Sequence, residues 1–418
     1  MKVLLVGATG FVGRHLLAAL VANGHEVIAT SRRRHSRDLS EVEWQVLDLD
    51  LLASDPQHFV MPQGVDLLIN AAGLLSVDPQ ALQRTQDRGT RALFDLAAQR
   101  GLRVLHISAL GAGEQPDVAF LASKAEADAY LMGLDICAVV LRPSLLVGAG
   151  GTSSGWLTRL SPWPLIPLLD LDARLQPVYI DDVCGAVLAL LRHWPSSSRV
   201  VPLVGPQALT LAQLLDHLRA AQGWGPARYC KIPQWLAAAG VWCGERLGWR
   251  ALNRQCLSMA RRDNVADPEL LGTLCGYRAA PLATHLVDWP NPAQSVQAAL
   301  RPLMLAVMLL IWFGTAAVCL GPGYDWSLRI MAEFGVTGGA ASFAVWLGSL
   351  CDGLLGLGML FRRWRRRTFQ AQLLLMASYT LIITLVLPHY WFDPYAAVAK
   401  NLVLMVATLW LLWTEPRQ

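Results

Sequence analysis

An α/β domain with a doubly wound parallel sheet over residues 1–292, followed by a four-helix transmembrane α-bundle over residues 300–418, is the fold this sequence predicts. Three observations predict it. An opening apolar run, Val3-Leu4-Leu5-Val6, ends on the glycine turn Gly7-Ala8-Thr9-Gly10-Phe11-Val12-Gly13 and passes at once into a helical pattern reaching about Asn23. Short apolar runs then alternate with helical patterns, as parallel strands joined by right-handed crossovers require. Uncharged runs of membrane length occur only after residue 300, although 54% of the whole chain is hydrophobic, so the apolarity is concentrated at one end.

The glycine turn carries the first functional expectation. A strand that ends on glycine, turns tightly and opens a helix aims unpaired N–H groups and the positive end of a helix dipole at one point, where a pyrophosphate can sit. A dinucleotide is therefore the predicted ligand, cradled by Gly7, Thr9, Gly10, Phe11, Val12 and Gly13. The Gly-x-x-Gly-x-x-Gly spacing departs from the usual Gly-x-Gly-x-x-Gly fingerprint, so the strand and helix on either side carry the inference.

The second strand, Val27 to Thr30, ends at Ser31-Arg32-Arg33-Arg34. In a doubly wound sheet this end faces the adenosine ribose, where an acid would accept from a free 2′-hydroxyl and an arginine would pair with a 2′-phosphate. Ser31 and Arg32 thus favour NADP, with NAD as the alternative, while Arg33 and Arg34 read as a solvated basic loop. A third strand around Trp44 to Leu47 leads to Asp48-Leu49, and a fourth, Val65 to Ile69, leads to Asn70-Ala71-Ala72-Gly73. A helix over Pro79 to Arg100 returns the chain to a fifth strand, Arg103 to Ser108.

With Thr9 and Phe11 flanking its middle glycine, the turn resembles that of the extended and atypical short-chain dehydrogenase/reductase family, whose fold is the Rossmann sheet. The resemblance implies that Asp48 and Leu49 approach the adenine and that the small Ala71 and Ala72 let the cofactor pass close to the backbone. It also implies roles for Ser108 and for Phe120-Leu121-Ala122-Ser123-Lys124, which stand where the family has its Ser and Tyr-x-x-x-Lys. There tyrosine moves the proton, lysine lowers its pKa and holds the nicotinamide ribose, and serine orients the substrate. Ser108 and Lys124 are accordingly the candidate catalytic residues, with Lys124 also a cofactor ligand.

Phe120 occupies the tyrosine position and has no proton to give, which removes the usual general acid. Tyr130, six residues after Lys124, points away from the same helical face. A structural role for Ser108 at a strand end stands beside the catalytic one. Further on, Leu141-Arg142-Pro143 through Gly148, Gln176 to Val183, and Leu203-Val204-Gly205-Pro206 are similar to segments of the atypical subgroup that includes the nucleotide-binding accessory subunit of mitochondrial complex I. Thr210 and Gln213 form a capping box opening a helix to about Ala221. The resemblance covers roughly residues 1 to 290.

Trp235, Trp242 and Trp249 recur at sevens along Ile232 to Gly248, which places them near one helical face. Core packing on the sheet domain is the expectation, and a position in the membrane interface is the alternative. Trp289-Pro290-Asn291-Pro292 reads as a linker, since two prolines so close cannot continue a helix. Four spans follow, over residues 302–320, 336–361, 369–387 and 395–413, each near the ~20 apolar residues that a crossing needs.

Arg362, Arg363, Arg365, Arg366 and Arg367 lie between the second and third spans and predict that this connection is inside. Arg301, the N-terminal domain and the C-terminal tail then lie inside as well. The glycine turn follows Met1-Lys2 too soon for a secretory signal, and this too places the first domain in the cytoplasm. The expected location is the inner membrane, crossed several times.

The last quarter, with His389-Tyr390-Trp391-Phe392-Asp393-Pro394 and Lys400-Asn401, resembles the DoxX-like four-helix membrane family. Asp352 lies inside the second span, where an unpaired charge costs about 3 kcal/mol or more; a structural role and a quinone or proton site both stay open.

Eight scattered cysteines without Cys-x-x-Cys pairs or nearby histidines predict reduced, mostly buried thiols and no metal site. A net charge of only +4, with its one dense arginine cluster between apolar runs, argues against nucleic acid. The expected partners are the lipid bilayer, a lipid-soluble substrate and a membrane protein. Together these features predict a membrane-anchored NAD(P)H-dependent oxidoreductase acting on a substrate such as a quinone or isoprenoid. The alternative is a non-catalytic NADP(H)-binding sensor, scaffold or assembly protein.

Overall fold

The computed structural model describes residues 1–33, 42–74, 76, 78–246, 254–287, 289–394 and 396–416. Arg34, Trp249 and Tyr395 lie outside the described residues. The chain divides into two compact units, Met1–Ser295 and Val296–Gln418.

In the first unit, Lys2–Val6 (β1), Glu26–Ser31 (β2), Glu43–Val46 (β3), Leu67–Asn70 (β4), Arg103–Ile107 (β5), Ala138–Pro143 (β6) and Arg199–Leu203 (β7) build one sheet. Its order is β7-β6-β5-β4-β1-β2-β3, and every pair is parallel. Alternation along β1 explains the two layers: Val3 and Leu5 pack with Leu16, Leu20 and Val187 on one face, and Leu4 and Val6 with Phe94 and Leu131 on the other. Burying one such side chain contributes about 1.5–3 kcal/mol. Because the chain leaves β1 in one direction for β2 and later resumes on its other side at β4, the crevice beyond their C-terminal ends is the topological switch point, where open α/β sheets bind ligands.

The helix expected over Pro79 to Arg100 is broken by a π-helical turn at Gln83–Arg88, between α-helical Pro79–Leu82 and Gly89–Ala98. The turn buries Gln86 and Asp87. Just after it, a Cβ on Gly89 would lie 1.9 Å from the Leu49 carbonyl oxygen, so glycine alone permits this approach of the two backbones.

A side lobe closes over Leu157, Ile166, Leu168, Leu214, Leu215 and Leu218. Its helix Leu211–Ala221 starts at the complete capping box of Thr210 and Gln213. Asp182, in the first turn of helix Ile180–Arg192, fastens the end of the unit to that helix: its carboxylate accepts from the Tyr277 hydroxyl (2.8 Å) and the Ala280 N–H (3.2 Å) and lies 3.0 Å from His285 Nε2.

The expectation of core packing for the tryptophan stretch is overturned. On helix Gln234–Arg246, Trp235 is 72% exposed and Trp242 54%, while Ala237 and Val241 are buried. Small residues let this helix lie close to the domain, so its bulky face is left outward. The cysteines also depart from expectation: Cys184 and Cys275 are buried, whereas Cys230 and Cys243 are exposed.

The second unit contains helices Pro292–Leu320, Gly338–Leu360, Arg365–Val386 and Ala397–Thr414, the first of which starts in the preceding unit. The first three are long and apolar enough to cross a membrane. The fourth has 18 residues, about 27 Å of rise against a hydrocarbon core of about 30 Å. The first helix begins ten residues before the expected span and runs through Pro302. Pro292 takes its first position, where a missing N–H costs nothing. A further helix, Tyr324–Glu333, occupies the first connection; at ten residues, three of them charged, it gave no signal of membrane length.

Met308, Trp312, Met359, Phe369, Met376 and Leu411 form the interior of the bundle. Leu310, Leu374 and Val403 are exposed on its outside at 73%, 71% and 69%, the apolar exterior of a membrane protein. At one end Glu415 pairs with Arg301 and, at 3.5 Å, with Arg365, which ties together the third turn of the first helix, the start of the third helix and the end of the fourth. Asp352 is half-buried on helix Gly338–Leu360.

Candidate nucleotide-binding site

The site begins where β1 ends. Gly7 has φ +79°, and a Cβ there would lie 2.8 Å from the Ala72 backbone, so only glycine allows the turn to touch the strand end carrying Ala71 and Ala72. Gly10 N–H donates to the Gly7 carbonyl (2.9 Å) and so closes the turn. A Cβ on Gly13 would stand 2.0 Å from that same carbonyl oxygen, which makes this glycine the condition for seating the helix on the turn. Helix Phe11–Ala22 starts at Gly10 with no side-chain cap, so the first-turn amides of Phe11, Val12 and Gly13, which lack intrahelical carbonyls, face the crevice at the positive end of the dipole.

The loop after β6 lies against this helix start. Arg14 Nη2 donates to the Ala149 carbonyl (2.9 Å), and a Cβ on Gly151 would meet the Phe11 ring at 3.0 Å. On the other flank Asn70 Oδ1 accepts from Ala72 N–H (3.1 Å), which shapes the turn after β4. Gln86, aimed by the π-helical turn, donates to the Leu74 carbonyl (2.6 Å) and accepts from the Ser123 hydroxyl (3.0 Å).

Ser31 and Asp48 end β2 and follow β3 on the same edge of the sheet, where Ser31 is in register with Val46. The Ser31 hydroxyl donates to the Arg33 carbonyl (2.5 Å), while Arg32 projects into solvent. Asp48 Oδ1 accepts from Asp50 N–H (3.0 Å), a capping role, and Leu49 is 5% exposed, with its carbonyl accepting from Ala53 N–H (3.1 Å).

At the C-terminal end of β5 the candidate catalytic residues meet a network that the sequence reading missed. Lys124 is 4% exposed, and its Nζ donates to the carbonyls of Ile107 (2.9 Å) and Ala72 (3.3 Å). Burial pushes its pKa down to about 8, against the opposing pull of Asp128. The Ser108 hydroxyl points inward and donates to Asp128 Oδ2 (2.8 Å), which also accepts from Arg142 Nε (2.9 Å). Burial raises the pKa of Asp128, and the bonds from Ser108 and Arg142 oppose that rise. His106, fully buried 3.6 Å from Asp128 and edge-on to Phe94, is held well below its usual range by burial first and by the Lys124 charge second, so the ring is neutral.

Lys124 and Asp128 are one helical turn apart on helix Ala119–Met132. That i, i+4 spacing is the signal that would have found Asp128. Phe120 sits half-buried on the first turn of the same helix, and its N–H donates to Gln255 Oε1 (3.0 Å). The Tyr130 hydroxyl donates to Asp95 (2.6 Å), so it is engaged away from Lys124. The glycine turn, Ala71, Ala72 and Lys124 thus converge. Ser108 comes close but turns its hydroxyl into the protein. An uncapped helix start and a cradle that any Cβ would fill fit the diphosphate of a dinucleotide.

Residues 3–201 match the NAD dependent epimerase/dehydratase family, and residues 308–409 match the DoxX-like family. Among curated proteins, the chain is 28% identical over 228 residues to a ceramide reductase of Caulobacter vibrioides, covering 53% of this chain and 67% of that protein. It is 24% identical over 248 residues to the NADH dehydrogenase [ubiquinone] 1 alpha subcomplex subunit 9 of Dictyostelium discoideum, covering 54% of this chain and 64% of the relative. Among solved structures, MoeE5 in complex with UDP-glucuronic acid and NAD shares the fold, with a TM-score of 0.53 at 17% identity over 71% of this chain and all (100%) of that one.

Proposed function

Because the chain joins an NAD dependent epimerase/dehydratase-family domain to a DoxX-like membrane domain, we propose that it is a membrane-anchored NAD(P)H-dependent oxidoreductase whose acceptor is carried in the lipid phase. The observation that carries this reading is the covalent union of a glycine-cradled switch-point crevice with apolar helices of membrane length. Tethering keeps the local concentration of a lipid-borne acceptor high near the nucleotide. The similar protein named ceramide reductase supports a lipid acceptor; a quinone or isoprenoid meets the same requirement. Arginines at 362, 363, 365, 366 and 367 support an inner-membrane location with the nucleotide domain in the cytoplasm.

In this reading Gly7, Gly10 and Gly13 admit the diphosphate, the amides of Phe11 to Gly13 bind it, and Ala71 and Ala72 leave room for the ribose. Arg32 takes a 2′-phosphate, which makes NADP the preferred form. Lys124, protonated below about pH 8, presents its ammonium to the nicotinamide ribose. Bound NADPH supplies a hydride. Protons come from water, because Phe120 has none to offer and Tyr130 is engaged by Asp95.

Two observations favour the second reading, an NADP(H)-binding sensor, scaffold or assembly protein: the Ser108 hydroxyl is committed to Asp128, and the tyrosine position is Phe120. Similarity to a complex I subunit supports it as well. Anaerobic single-turnover mixing of the full chain with NADPH and a panel of short-chain quinones and keto-lipids separates the two. Oxidation of NADPH by wild type, little altered in Phe120→Tyr and slowed in Gly13→Ala at sub-saturating NADPH, is the expected result. Binding without hydride transfer to any acceptor replaces the enzyme with the scaffold.

A further inference from the structure

At one end of the membrane unit lies a cavity of about 590 Å³ whose lining includes Arg362, Arg363, Arg366, Arg367, Gln370 and Glu415. Its volume falls within the ~300–1,000 Å³ that small-molecule sites occupy. The lining is strongly unbalanced in charge. Glu415, with a side chain 4% exposed, is already engaged by Arg301 and Arg365, neither of which is among the lining residues. Among the described residues, no ion pair joins Arg362, Arg363, Arg366 or Arg367 to a carboxylate.

Helix Arg365–Val386 starts at this cavity with no acidic residue in its first turn and no side-chain hydrogen bond from its cap residue, Trp364. Guanidinium groups therefore stand at the positive end of a helix dipole, where like charge is disfavoured and an anion would relieve both. The positive-inside rule accounts for basic residues in this connection, and lysine would serve it equally well. It does not account for a concave site, and the planar fork of arginine matches two oxygens of one phosphate. Basic pockets between membrane helices bind anionic headgroups in this way.

We propose that this cavity binds a phosphate-bearing anion, presented by a lipid headgroup or free in solution. The proposal is independent of the oxidoreductase reading, since it uses none of the residues of the nucleotide crevice. To test it, the full chain in neutral detergent is titrated calorimetrically with dihexanoyl phosphatidylglycerol, dihexanoyl phosphatidylcholine and inorganic pyrophosphate. Saturable binding of phosphatidylglycerol or pyrophosphate, at least tenfold tighter than of the zwitterionic lipid, is expected. Preference for phosphatidylglycerol over pyrophosphate identifies a headgroup, and parity identifies a free anion.

Arg366→Lys/Arg367→Lys keeps the charge and the topological signal but removes two forks, so affinity should fall at least fivefold with an unchanged melting temperature. The glycine turn is untouched in this variant, which assigns the lost binding to the cavity. Arg362→Gln/Arg363→Gln provides a second variant, with the same expected fall, should the first melt early. No saturable binding, equal binding of the two lipids, or undiminished affinity in the folded variants overturns the proposal.

Discussion

Gly13→Ala tests the nucleotide cradle most directly, because its effect follows from distances. The added methyl would lie 2.0 Å from the Gly7 carbonyl oxygen, 2.7 Å from its carbon and 2.8 Å from Ala8 Cα, all backbone atoms that no rotamer can move. Non-bonded carbons rest about 3.5–4.0 Å apart, so the start of helix Phe11–Ala22 must withdraw from the turn by about 1 Å. Overpacking of this kind costs about 1–3 kcal/mol. At about 1.4 kcal/mol per tenfold, that is about a 5- to 150-fold weaker NADPH complex where the displacement falls on the phosphate-binding amides. The assay is calorimetric titration of the full chain with NADPH, with melting temperature as the control for folding. Gly10→Ala, whose methyl would meet the Gly7 oxygen at 3.1 Å, should lose less, and Gly73→Ala, with nothing within 4 Å, should lose nothing. Equal affinity in the Gly13 and Gly73 variants would refute the assignment of this turn to the diphosphate.

Arg32→Ala should weaken NADPH selectively by about 1–3 kcal/mol through loss of a charge-assisted contact, and NADH hardly at all; equal affinity of wild type for the two cofactors removes the 2′-phosphate assignment. Lys124 gives a pH signature: its pKa falls from the ordinary 10.5 to about 8 on burial, so folding expels a proton between those values. Stability should therefore rise with pH from about 8 to 10.5, by about 3 kcal/mol in all, and Lys124→Met should show no such rise in melting curves taken across that window. For topology, a reporter active only outside the inner membrane should be silent when fused to the C-terminus and active when inserted beside Tyr324. The reverse pattern means the arginine connection has been misread.

The alternation of strands with helices, the glycine turn and the apolar helices were legible in the sequence because each rests on a local requirement. Only glycine tolerates φ +79° at position 7 against the Ala72 backbone, and only glycine lets position 13 touch the Gly7 carbonyl. Runs free of charge after residue 300 had to meet lipid or each other. Phe120 was legible too, as an absence within a known spacing.

Tertiary structure decided what depends on partners distant in sequence. Ser108, Asp128 and Arg142 come from a strand end, a helix and the next strand, and only their packing shows that the serine hydroxyl is directed inward. Gln86 reaches Leu74 and Ser123 because a π-helical turn adds a residue that no periodicity announced. Trp235 and Trp242 lie on one face by spacing, but which face is buried depends on what the helix packs against, and Ala237 and Val241 took the inner side. Proline at 302 marked an apparent span start by composition, yet the helix begins at Pro292 and continues through Pro302. The cluster of Arg301, Arg365 and Glu415 joins residues 50 and 114 positions from Glu415, and the arginines read from sequence as a topological signal line a cavity only because helix ends meet there.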